Sequence, residues 1–94
     1  MNTQNEDFYK RLKEELSNST LWPAEYLFKF IVPTDTEKIS RINNAFNGMG
    51  AVIKTTKSKN GKYTSISINV KMQSSQAVID KYIELSDVEG IISL

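Results

Sequence analysis

Apolar and polar side chains alternate with a period of two through Ser65-Ile66-Ser67-Ile68-Asn69-Val70-Lys71-Met72, the pattern of a half-buried strand. A second strand-like run, Ala51 to Lys59, precedes it, and Asn60-Gly61 lies between the two. Asn-Gly is a strong hairpin signal, because both residues accept the positive φ of a type I′ turn. With these two residues as the loop, Lys59 opposes Lys62. The ladder then runs Ser58–Tyr63, Thr56–Ser65, Thr55–Ile66, Lys54–Ser67, Ile53–Ile68 and Ala51–Val70. One face collects the apolar residues and the other collects hydroxyls and lysine. A slip of one residue would exchange them.

The rest of the chain supplies partners for the hairpin. Asn5 to Ser17 reads as a helix with a narrow stripe, Phe8, Leu12 and Leu16, suited to a flanking, loosely packed position or to a partner. Ser17 to Pro23 is a connector, in which Trp22 covers a core edge or, on the sharper reading, stacks on a ligand. Ala24 to Val32 is a strand rich in aromatic and β-branched residues, with Tyr26, Phe28, Phe30 and Val32 on one face and Leu27, Lys29 and Ile31 on the other. Apolar residues on both faces suit a central strand, and Pro33 ends it. Thr34-Asp35-Thr36-Glu37 reads as a capping box opening a helix with Ile39, Ile42 and Phe46 inward, stopped by Gly48 and Gly50. Ser74 or Ser75 caps a further helix with a wide stripe of Val78, Ile79, Tyr82, Ile83 and Leu85. Asp87 to Gly90 turns the chain into a last short strand, Ile91 to Leu94.

A helix followed by β-α-β-β-α-β predicts an α+β fold of the ferredoxin-like kind. Four antiparallel strands carry two helices on one face, with an extra N-terminal helix outside the unit. The first and third strands are central, and the second sheet face stays uncovered. Residues 1–22 form the helical extension and connector, and residues 23–94 the domain.

Composition narrows the chemistry. The 94 residues suffice for one small core and not two. There is no cysteine, hence no disulfide framework or thiol nucleophile, and no histidine, the side chain best suited to proton transfer near neutral pH. The usual zinc and transition-metal ligands go with them. The start, Met1 to Asp7, is polar and acidic, unlike a signal peptide, and no apolar run nears the roughly 20 residues of a membrane span. A soluble cytoplasmic protein is expected, with no cofactor, no metal and no membrane partner. From Lys38 to Ile79 there are seven basic residues and no acidic one. The bland reading is a hairpin whose lysines protect an edge strand from aggregation, and the sharper one is an anion-facing patch.

Several segments resemble one family. Phe28-Lys29-Phe30-Ile31-Val32 after a proline, Ser58-Lys59-Asn60-Gly61-Lys62-Tyr63-Thr64-Ser65-Ile66-Ser67-Ile68, the helix with Tyr82 and the Ile-Ile-Ser-Leu ending are similar to the small bacterial YbeD-like proteins, domain of unknown function 493. The resemblance covers roughly Pro23 to Leu94, and its most specific part is Ser58 to Ser65. It implies a ferredoxin-like fold similar to ligand-sensing ACT domains, and no established activity or catalytic residues.

No catalytic residue is expected. An acylphosphatase of this fold needs a phosphate-cradling loop and an arginine after the first strand, and Val32-Pro33-Thr34-Asp35 has neither glycine nor arginine. Asp80 and Glu84, four apart on the last helix, read as a solvated face. Base stacking of the RNA-recognition type needs two or more aromatics on the central strands, and the third strand offers Tyr63 alone beside Ser65, Ser67 and Asn69. The expected function is a non-enzymatic regulatory or protein-interaction module, binding a protein partner or a second copy through the open sheet face, or a small ligand in an ACT-like manner. The first strand-to-helix loop lacks the glycine that an ACT-type amino-acid site carries. The alternative is weak, non-specific RNA binding through the basic hairpin and open face. The candidate interaction surface is Lys54, Lys57, Ser58, Lys59, Lys62, Tyr63, Ser65 and Ser67.

Overall fold

The computed structural model describes the backbone from residue 3 and the side chains from residue 6 to Leu94. The polar start read at Met1 and Asn2 lies outside these residues. The elements are α1 (Thr3–Ser19), β1 (Ala24–Pro33), α2 (Thr36–Asn44), β2 (Val52–Lys57), β3 (Tyr63–Met72), α3 (Ser75–Leu85) and β4 (Ile92–Ser93). The four strands form one antiparallel sheet in the order β2-β3-β1-β4, so the aromatic-rich β1 and the alternating β3 are central. This is the expected βαββαβ arrangement with a helix in front.

Alternation builds the core directly. Phe28, Phe30 and Val32 of β1 and Thr64, Ile66, Ile68, Val70 and Met72 of β3 are buried on the face that α2 and α3 cover. Ile42 and Phe46 enter from the α2 side, and Val78, Tyr82 and Leu85 from α3. Phe28 is the aromatic hub, with Tyr26, Phe46 and Tyr82 ring centroids at 4.8, 5.0 and 5.3 Å. The buried Thr64 hydroxyl lies 2.9 Å from that of Thr34, so a polar group in the core keeps a partner.

The hairpin register is the one read from the sequence, with Ile53 opposite Ile68 and Lys54 opposite Ser67. The turn differs. Among the described residues none other than glycine has positive φ, so Asn60 does not adopt the type I′ conformation, whereas Gly61 does have φ +72°. The Gly61 N–H donates to the Ser58 carbonyl at 2.9 Å, and Asn60 works through its side chain instead. Its Oδ1 accepts from the Lys62 N–H at 3.0 Å and from the Ser58 hydroxyl at 2.9 Å. The connection is therefore longer than two residues, and Lys59 and Lys62 are not a ladder pair.

Other boundaries shift for similar local reasons. Asp35, not Thr34, caps α2: its Oδ1 accepts from the N–H groups of Glu37 and Lys38 at 2.9 and 3.1 Å. Ser74 caps α3 through the Ala77 N–H. Ile83, read as core-facing, is 37% exposed. The helix α1 runs two residues past Ser17 and does pack: Tyr9, Leu12 and Leu16 meet the core, while Phe8 stays exposed. The Ser17 and Ser75 hydroxyls lie 2.6 Å apart and tie α1 to α3. Trp22 covers a core edge, its Nε1 donating to the Leu16 carbonyl. Among the described residues no helix is long and apolar enough to cross a membrane.

Candidate functional site

The strand order decides which residues meet on the uncovered face. Side chains of directly opposed residues share a face, so the ladder gives rows running across β2, β3 and β1. One row is Val52–Asn69–Leu27 and the next is Lys54–Ser67–Lys29. The third, Thr56–Ser65–Ile31, continues into Ile92 of β4. Leu27 is 48% and Val52 61% exposed, two large apolar side chains standing in water at either end of one row. A shallow depression of about 350 Å³ lies among Leu27, Val52, Lys54, Ser67 and Asn69. Glu25 lies opposite Lys71 toward the end of the ladder, and the depression itself has one lysine, Lys54, and no carboxylate in its lining.

The candidate surface read from the sequence divides. Lys54, Tyr63, Ser65 and Ser67 come together on the open face. Lys57 is opposite Thr64, of the other parity, and points from the helix-side face beyond the helices' cover. Ser58, Lys59 and Lys62 belong to the turn, and the Ser58 hydroxyl is already engaged, accepting from the Tyr63 N–H at 3.1 Å and donating to Asn60. Leu27 and Val52 were absent from that surface. They are far apart in sequence and become neighbours only because β3 lies between β1 and β2.

On the helix side, several ionisable groups of α2 and α3 and the turn after α3 are already paired. Arg41 approaches Glu84 and Asp87 at 3.8 and 3.5 Å, and Lys81 donates to Glu84 at 3.1 Å and to the Ala45 carbonyl. Asp80 accepts from Gln76 at 2.8 Å, so Asp80 and Glu84 have separate partners and form no shared dyad. Among the described residues no cluster of three or more potential metal ligands exists. The Tyr26 and Tyr82 hydroxyls lie 2.9 Å apart. Burial first, then the neighbouring Tyr26 hydroxyl, pushes the Tyr82 phenol well above the ordinary tyrosine range.

A family model described as "Protein of unknown function (DUF493)" matches residues 17–94. No curated protein and no solved structure matches the chain.

Proposed function

The chain belongs to the DUF493 family, and we propose that it performs no chemistry of its own and serves as an interaction module, taking a partner protein on the open face of its sheet. The row Val52–Asn69–Leu27 carries this reading. Single exposed apolar residues are ordinary on a protein surface. Here two of them frame a depression on a regular, rigid sheet, with the hydroxyl of Ser67 and the amide of Asn69 between them. Apolar anchors surrounded by hydrogen-bonding groups are the usual anatomy of an interface centre. Lys54 and Lys29 in the adjoining row favour a partner with an apolar centre and an acidic rim. A depression of about 350 Å³ is also within the size range of small-ligand sites. A regulatory, ACT-like form of the same reading would let such a ligand compete with the partner.

Affinity capture from a lysate of the native host tests this. Wild type, Lys57→Ser and the double variant Leu27→Asp/Val52→Asp are immobilised in parallel. A protein retained by the first two and lost from the third, with unchanged melting temperatures, supports the open face. The same proteins on all three would remove it. Nuclease-sensitive, salt-sensitive capture lost with the Lys57 change would favour the competing reading of weak RNA binding, whose support is that the hairpin lysines make no ion pair among the described residues.

A further inference from the structure

A second concavity lies on the helix side of the sheet, where α1, α3 and β4 meet. It is half-enclosed, with a volume of about 220 Å³. Its origin is local. The strand β4 is two residues long, and the small Ser93 occupies the core-face position opposite Phe30. The stripe of α1 docks Tyr9, Leu12 and Leu16 on the core, leaving Phe8 exposed at the rim. Neither element fills the space over Tyr26 and Tyr82, and Leu94 closes the far end.

The side chains of the lining carry no formal charge and are dominated by rings. Phe8 and Tyr9 meet edge to face at 5.7 Å, and Tyr26 and Tyr82 at 6.4 Å with an interplanar angle of 88°. The two tyrosine hydroxyls share one hydrogen bond, which leaves one hydroxyl hydrogen without a protein partner among the described residues. We propose that this cleft binds one small, uncharged, planar aromatic molecule with a hydrogen-bond acceptor. Its ring sits between the aromatic walls and its acceptor takes the spare hydroxyl hydrogen of the tyrosine pair. An apolar cavity of about 150 Å³ holds benzene, so the cleft accommodates a single ring with a short polar substituent. An anionic analogue is disfavoured, because a carboxylate here would be desolvated with no cation to meet it. Phe8, Tyr9 and Leu12 come from α1 and precede the family-matched span 17–94, so the site depends on this chain's N-terminal helix and not on the family core alone.

The experiment is an amide-resolved NMR titration of the full chain with acetophenone, and with benzoate as the charged counterpart. Acetophenone is expected to saturate with a dissociation constant of about 1 mM or tighter, and benzoate to bind about tenfold more weakly or worse. The shifts are expected at Tyr9, Leu12, Tyr26, Tyr82 and Ser93. Tyr26→Phe/Tyr82→Phe, which keeps both rings and removes both hydroxyls, should weaken acetophenone several-fold. Ser93→Phe, which fills the cleft, should abolish binding while the spectrum reports the intact fold. If that variant does not fold, Leu12→Trp tests the same obstruction from the helix side. Linear, non-saturating shifts, shifts centred on Leu27 and Val52, or undiminished binding in the filled variant would overturn the proposal.

Discussion

Phe28→Ala removes the ring that joins sheet to helices. Phe28 is fully buried on β1, and its neighbours Tyr26, Phe46, Tyr82 and Phe30 have ring centroids 4.8 to 6.0 Å away. Truncating a buried phenylalanine to alanine costs about 3–5 kcal/mol through lost transfer energy and the cavity left behind. Aromatic pairs of this geometry each add about 0.5–1.5 kcal/mol beyond area, and they are lost together here, which places the expected cost in the upper part of that range. Native domains are stable by about 5–15 kcal/mol in all, so the variant is expected to be close to unfolding at room temperature. Urea unfolding followed by circular dichroism reads this directly. With a slope of about 1–3 kcal/mol per molar, the midpoint is expected to fall by more than about 1 M. Phe28→Leu, which retains much of the volume, should cost clearly less, and Phe8→Ala on the exposed side of α1 about 1 kcal/mol at most. A cost below about 1 kcal/mol for Phe28→Ala, or one equal to that of Phe8→Ala, would show that the faces of β1 are inverted and that the open face has been misplaced.

Gly61→Val should destabilise the chain by more than about 1 kcal/mol, read as a lowered melting temperature, because Gly61 has φ +72° and a β-branched residue is strained there whatever the space around it. The phenol of Tyr82 is held above its ordinary value of 10.0, so the folded state keeps this proton where the unfolded chain has lost it. Its contribution is therefore complete below about pH 10 and falls as pH rises further; Tyr82→Phe should flatten the alkaline limb of a stability-versus-pH curve, and an unchanged limb would assign the loss elsewhere. Titration with mixed-sequence RNA and duplex DNA should give at most weak binding, about 10⁻⁴–10⁻⁶ M at physiological salt, reduced further when Lys57, Lys59 and Lys62 are changed to serine. Sequence-selective binding that survives higher salt would displace the protein-interaction reading.

Most of the architecture is legible because alternation and capping are local signals. The run Ile66, Ile68, Val70 and Met72 specifies one face of β3, and pairing it with β2 through apolar matches gives the observed register. The turn was misread because Asn60 has two ways to serve a turn, by its backbone at positive φ or by its side-chain oxygen, and the dipeptide alone does not distinguish them. The α2 cap moved by one residue for a related reason: Thr34 and Asp35 are both cap formers, and Thr34 is engaged with the buried Thr64 instead. On α1, Phe8 and Tyr9 are adjacent, and only docking against α3 decides which turns inward. The open-face row was the least legible feature. Hairpin pairing shows Val52 beside Asn69, but Leu27 joins them through a long-range pairing of β1 with β3 that no local pattern records.

The most direct test of the open face is site-specific photo-crosslinking in cells of the native host, with a photoreactive residue placed singly at Leu27, Val52 or, on the exposed helix side, Gln76. Discrete protein adducts from Leu27 and Val52, absent from Gln76, are expected. Adducts from Gln76 alone, or none from either sheet position while the variants remain folded, would contradict a partner on this face.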